Sequence, residues 1–119
     1  MTFIGTDIVP LLRIKNMIEE RNKIFLNKIF TDLEQEYCDS KNSPYVHYSG
    51  KFAAKESVKK ALLSSNSINK ISLKCIEISN NSNGTPIVKL KNLKILFKEL
   101  KVSISHAGDY ATAMAFMKI

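Results

Sequence analysis

Apolar residues recur along this 119-residue chain with two different periods, and each change of period marks a new element. Residues 2–9 read as a strand: Phe3, Ile4, Ile8 and Val9 supply β-prone bulk, Gly5 permits a close backbone approach, and Pro10 closes the run. From Leu11 to Phe30 the positions Leu11, Ile14, Ile18, Phe25 and Ile29 follow the three-or-four spacing of a helix face, which implies one or two helices. Thr31-Asp32-Leu33-Glu34 is a capping-box pattern, in which the Thr31 hydroxyl and the Glu34 carboxylate satisfy each other's free backbone N–H groups. A short helix to about Cys38 follows, and Asp39 to Pro44 is loop-like because Pro44 steers Ser43 away from helical angles.

A longer helix is predicted over 46–63, burying Phe52, Ala53, Val58, Ala61 and Leu62 and turning Lys51, Lys55, Lys59 and Lys60 away from the core. Residues 71–79 and 86–91 read as two strands around Asn80–Gly84, where Asn83-Gly84 is the hairpin signal. The apolar phase of the first of these strands slips near Cys75, for which a β-bulge is one explanation. Leu93, Leu96, Phe97 and Leu100 form a helical stripe that predicts a short helix before the final strands. Val102–Ser105 and Tyr110–Lys118 alternate as strands about a Gly108-Asp109 turn, and the second, with its alanines, suits a strand buried on both faces. The expected fold is α+β, a largely antiparallel sheet packed against helices, in one domain over 1–119.

Charge narrows the partners. Eighteen Lys and Arg against 11 Asp and Glu leave a net +7, so something acidic is expected to bind. Lys51, Lys55, Lys59, Lys60, Lys70 and Lys74 face Glu56 alone within 51–74, and Arg13, Lys15, Arg21, Lys23 and Lys28 outnumber Glu19 and Glu20 within 11–30. A nucleic acid, a phosphorylated cofactor or an acidic protein suits such surfaces. No apolar run approaches the roughly 20 residues that cross a bilayer, and the N-terminal stretch lacks a basic n-region, so a cytoplasmic protein without membrane partners is expected. Cys38 and Cys75 have no Cys-x-x-Cys spacing and read as ordinary thiols.

Two acids stand out against this background. Asp7 interrupts the apolar run Ile4-Gly5-Thr6-Asp7-Ile8, and Glu56 lies on a helical segment whose other charges are all lysines. A hard divalent metal shared with a phosphate would explain both. Glu56 and Lys60 are four apart and so neighbours on one helix face.

Four motifs in order carry a resemblance across essentially the whole chain: Gly5-Thr6-Asp7-Ile8, Gly50-Lys51-Phe52-Ala53-Ala54-Lys55-Glu56-Ser57-Val58-Lys59-Lys60-Ala61-Leu62, Asn83-Gly84-Thr85-Pro86 and Val102-Ser103-Ile104-Ser105-His106. In these the sequence resembles the holo-acyl-carrier-protein synthases, 4′-phosphopantetheinyl transferases. The resemblance implies Mg²⁺-dependent transfer of the phosphopantetheine arm of coenzyme A to a serine of apo-acyl carrier protein, releasing adenosine 3′,5′-bisphosphate, in fatty acid biosynthesis. It implies metal ligation by Asp7 and Glu56, and catalysis by Glu56 and Lys60. It places Lys51, Asn83, Gly84, Pro86, Ser103, Ser105 and His106 at the coenzyme A site, with His106 by the 3′-phosphate, and puts Arg13 and Arg21 on the surface that docks the acidic carrier protein. It also implies a homotrimer with active sites at subunit boundaries. His47 matches nothing and reads as structural.

The chain departs from the family pattern at Lys51, where an arginine is usual, and a bidentate phosphate grip there becomes a point-charge contact. Pro10 replaces an acid, Thr85 a lysine, and Ile24 a basic docking residue. Competing readings are a catalytically silent relative that binds coenzyme A or carrier protein, and a small basic RNA-binding module. The second is poorly supported, because such modules stack bases on exposed aromatics whereas the aromatics here fall on predicted apolar faces.

Overall fold

The computed structural model describes residues 1–21 and 23–119. Strand β1 (Thr2–Pro10) leads into helices α1 (Leu11–Arg21), α2 (Lys23–Ile29), α3 (Asp32–Asp39) and α4 (Pro44–Ser64). A 3₁₀ turn at Leu73–Cys75 precedes β2 (Ile76–Asn80) and β3 (Pro86–Leu90), and β4 (Glu99–Ala107) and β5 (Tyr110–Lys118) end the chain. β1, β5 and β4 form an antiparallel sheet in that order, while β2 and β3 pair as a separate antiparallel hairpin.

Helix α4 lies against the inner face of the three-stranded sheet and packs on β1 and β5. Strand β5 makes this possible because its inward residues, Ala111, Ala113 and Ala115, are small and fully or almost fully buried. Its outward residues Tyr110, Thr112 and Met114 are exposed, so within one chain the expectation of a strand buried on both faces is corrected: one face is covered by α4 and the other is open. The capping box of α3 forms as read, with Thr31 N donating to Glu34 Oε1 at 2.8 Å and Glu34 N to Thr31 Oγ1 at 3.3 Å. Pro44 starts α4 rather than preceding it, at a first-turn position where its missing N–H costs nothing.

Three further expectations change. The slip near Cys75 is the Leu73–Cys75 3₁₀ turn and not a bulge; it rotates the side chains so that Leu73, Ile76 and Ile78 all reach the core. The stripe Leu93 to Leu100 is not a helix. Lys91 N is tied to Cys75 O at 2.8 Å and Lys98 N to Lys118 O at 2.7 Å, which holds this stretch open between two sheets and leaves Leu96 91% exposed. So short a segment cannot offset the cost of helix nucleation without a packed face.

The third concerns the lysines. Lys51 and Lys55 are buried, at 3% and 0% exposure, and do not join Lys59 and Lys60 on an open face. The Lys55 ammonium pairs with Glu34 Oε1 at 2.6 Å and donates to the carbonyls of Ile29, Leu73 and Ile76 at 2.9, 3.1 and 2.8 Å. Glu34 in turn accepts Ile78 N at 2.7 Å, so one buried ion pair joins α2, α3, α4, the 3₁₀ turn and β2. The basic face available to a polyanion shrinks accordingly, which weakens the RNA-binding alternative.

Candidate active site

Gly5 is the point at which β1 and α4 touch. A Cβ there would lie 1.9 Å from the Ser57 carbonyl oxygen and 2.8 Å from Ala61 N. Both are helix backbone, which cannot swing aside, so the close approach requires glycine. Asp7 follows two residues later on the same face of β1, about 6.6 Å further along the strand. Beyond the strand the Arg13 guanidinium sits over the Phe52 ring, 5.9 Å from its centroid. β1 therefore runs from the level of Ala61 toward that of Phe52, and Asp7 stands beside the turn of α4 that carries Glu56.

Lys60, one turn beyond Glu56, closes the group. Its ammonium donates to Thr6 O at 2.8 Å and to Asp7 Oδ1 at 3.2 Å, while Asp7 is 17% exposed and Lys60 52%. Glu56 is half-buried, and among the described residues it has no ion-pair partner. Asp7 thus offers its second oxygen and Glu56 its whole carboxylate to whatever binds there. Two carboxylates are the donor set that Mg²⁺ takes up together with substrate phosphates. Among the described residues no group of three or more His, Cys, Asp or Glu side chains could hold a metal alone. The geometry fits a metal shared with a ligand, not a closed protein cage.

A second cluster gathers on another side of α4. A cavity of about 150 Å³ is lined by Lys51, His47, His106, Asn80, Gly84 and Pro86 among others. Lys51 Nζ donates to Ile78 O at 2.6 Å and to Asn80 Oδ1 at 2.7 Å, and sits 4.4 Å from the Tyr37 ring centroid, leaving one of its three N–H donors for the cavity. Burial holds its pKa below the usual lysine value, against the pull of Cys38, Glu34 and Glu77. His106 reaches this cavity because β4 turns Ile104 and His106 toward α4, where Ile104 meets Gly50.

The same alternation separates the other predicted residues of β4. Ser103 and Ser105 point to the outer face of the sheet, where with Thr6, Thr112 and Met114 they line a different cavity of about 200 Å³. Within one chain they do not join His106, as the period of two in a strand requires. Asn83 also lies outside the cavity: its Oδ1 accepts Thr85 N at 3.0 Å, folded back on its own turn, while Gly84 takes the positive φ of 87° that the turn needs. Asn80, which the sequence offered no reason to prefer over its asparagine neighbours, occupies the cavity wall instead. His47, read as structural, lines it too.

Arg13 and Arg21 are exposed on α1, with Arg21 in its last turn, and Ile24 on α2 is 76% exposed. Cys38 is fully buried and burial pushes its thiol up to about 12, which suits an inert core residue. A cleft of about 510 Å³ lies elsewhere, between α3 and the 3₁₀ turn. It contains none of the predicted site residues, and its buried acid Glu77 is already paired with Lys91 at 3.4 Å.

An antiparallel sheet is crossed by one long helix, and Asp7 pairs with Lys60 where the first strand meets that helix. The chain belongs to the 4′-phosphopantetheinyl transferase superfamily, whose family model matches residues 3–115. Within it the chain falls among the holo-[acyl-carrier-protein] synthases and is an enzyme of that class. It is 44% identical to the holo-[acyl-carrier-protein] synthase of Caldanaerobacter subterraneus subsp. tengcongensis, over 95% of this chain and 91% of that protein. It is 46% identical to that of Chlamydia felis, over 97% of this chain and 95% of that one. Among solved structures it resembles Helicobacter pylori holo-[acyl-carrier-protein] synthase in complex with coenzyme A, with a TM-score of 0.79, 30% identity, and 97% of this chain and 99% of that chain covered.

Proposed function

We propose that this chain, as a single transferase domain, moves the 4′-phosphopantetheine arm of coenzyme A to a serine of an acidic apo-acyl carrier protein in an Mg²⁺-dependent reaction of fatty acid biosynthesis. The observation that carries the reading is the pairing of Asp7 with Lys60 at the β1–α4 contact, one helical turn along α4 from Glu56. In the reaction the serine Oγ bonds to the phosphorus bearing the pantetheine arm, and the P–O bond to adenosine 3′,5′-bisphosphate breaks, the electron pair leaving with that oxygen. Glu56 takes the serine proton, directly or through a water. Lys60 holds Asp7 in place and presents positive charge to the departing bisphosphate. Asp7 and Glu56 would hold Mg²⁺, which when bound supplies polarisation of the attacked phosphate and neutralisation of the leaving group.

Lys51, Gly84, Pro86 and His106 would hold the nucleotide end. Their cavity is smaller than the roughly 300–1,000 Å³ of a whole-ligand pocket, and its lining includes neither Asp7 nor Glu56. One chain therefore presents two partial sites, and assembly as a homotrimer would complete them. The outer sheet face supports this: Ile4, Ile8 and Met114 are 63%, 64% and 50% exposed there, an apolar surface that calls for cover. Ser103 and Ser105 share that face and would meet a neighbour's nucleotide.

Incubation with coenzyme A, Mg²⁺ and an acidic apo-carrier protein is expected to add one phosphopantetheine mass to the carrier, and EDTA to prevent it. Intact mass spectrometry decides, and no gain with several carriers would favour the silent relative. For docking, Arg13→Ala is expected to raise the KM for carrier protein about tenfold while leaving that for coenzyme A unchanged. Arg13 is exposed and sits over Phe52, which lies one turn before Glu56 on α4. Added salt should shrink the difference between wild type and variant; equal damage to both KM values would sink the docking role. No described helix is long and apolar enough to cross a membrane.

A further inference from the structure

His47 lies in the first turns of α4, three residues after Pro44, and faces the cavity that Lys51 and His106 also line. Its ring stands edge-on to Tyr37 with centroids 6.0 Å apart, so α3 fixes its orientation. We propose that His47 is a third basic contact for the 3′-phosphate of coenzyme A, and that it makes recognition of that phosphate stronger as pH falls. The inference rests on the transferase reading and extends it to a residue that the family motifs leave out.

The chemistry follows from what surrounds the ring. The groups facing His47 are Tyr37 from α3, Lys41 from the loop after it, Lys51 from α4 and His106 from β4; the hairpin contributes Asn80 and Gly84, which do not titrate. Burial first, then Lys41, His106 and Lys51, holds the pKa of His47 below the usual histidine value. Without ligand the imidazole is therefore neutral at neutral pH, and donates from one nitrogen alone. A phosphate dianion in the cavity reverses the sign of the local field and favours the imidazolium, with donors at both nitrogens. Binding then takes up a proton, so affinity rises as pH falls toward the histidine range and declines as it rises. Lys51 spends two of its donors on β2, which leaves this phosphate unusually dependent on its histidines.

The test compares coenzyme A with 3′-dephospho-coenzyme A, binding each to wild type, His47→Gln and His47→Phe by calorimetry between about pH 6 and pH 8. The wild type is expected to prefer coenzyme A increasingly toward the acid end. Both variants should lose about tenfold of that preference there and little of it at the alkaline end. Phe keeps the edge contact with Tyr37 and Gln keeps a hydrogen-bond donor, so agreement between the two variants assigns the loss to the imidazolium charge and not to packing. Equal loss of both ligands, or an unchanged pH profile, would overturn the proposal. Failure of the wild type to bind either ligand would instead strike at the transferase reading itself.

Discussion

Glu56→Gln is expected to lower phosphopantetheine transfer by about a thousandfold, within the range that a positioned acid–base group contributes. The substitution keeps shape and removes both the negative charge and the proton acceptor. Glu56 is half-buried and, among the described residues, free of ion pairs, so the variant should melt with the wild type. Its loss should appear in kcat with both substrates saturating. Asp7→Asn is predicted to differ in kind: it weakens the anchor of Lys60 as well as the metal, so a higher Mg²⁺ concentration should recover part of its activity. A Glu56→Gln enzyme with near-normal turnover would remove Glu56 from both of its roles.

Lys55→Met should cost about 3–5 kcal/mol of stability, the usual consequence of stranding one member of a buried ion pair. Lys55 has no exposure, and it is the common partner of Glu34 and of three carbonyls from three different segments. Methionine fits the space of the stem and supplies none of those bonds, which leaves the Glu34 carboxylate charged in the core. Adding Glu34→Gln to Lys55→Met should recover part of the loss, because the stranded charge disappears while an amide oxygen still accepts a backbone N–H. Urea denaturation of the three proteins measures this, and a single variant with a wild-type midpoint would show that the pair is not structural.

The contrast between these two residues explains how much was legible in advance. Glu56 and its neighbour Lys55 sit in one motif, and both look like surface charges on a helix. The helical period relates Glu56 to Lys60 four residues on, a local relation that needs no tertiary knowledge. The burial of Lys55 depends on where the ends of α2, the 3₁₀ turn and β2 deliver their unpaired carbonyls, and these come from residues 18 to 26 positions away. The capping box was readable for the same local reason that Glu56 and Lys60 were: both of its hydrogen bonds span three residues. The Leu93–Leu100 stripe failed because the same residues suit an extended strip tied down by Cys75 and Lys118, two remote backbone partners.

Period and motif order therefore sufficed for the class of fold, for the family, and for the adjacency of Glu56 and Lys60 on one helix face, since each is written in spacings of a few residues. The meeting of Asp7 with that pair needed the chain to fold, because it depends on a strand and a helix brought into backbone contact at Gly5, more than fifty residues from Lys60. Folding also decided that Ser103 and Ser105 part from His106, that Lys51 and Lys55 turn inward, and that His47 joins the cavity lined by Lys51 and His106. Each of these is set by which face a neighbouring element covers, and a residue's own sequence surroundings carry no record of that.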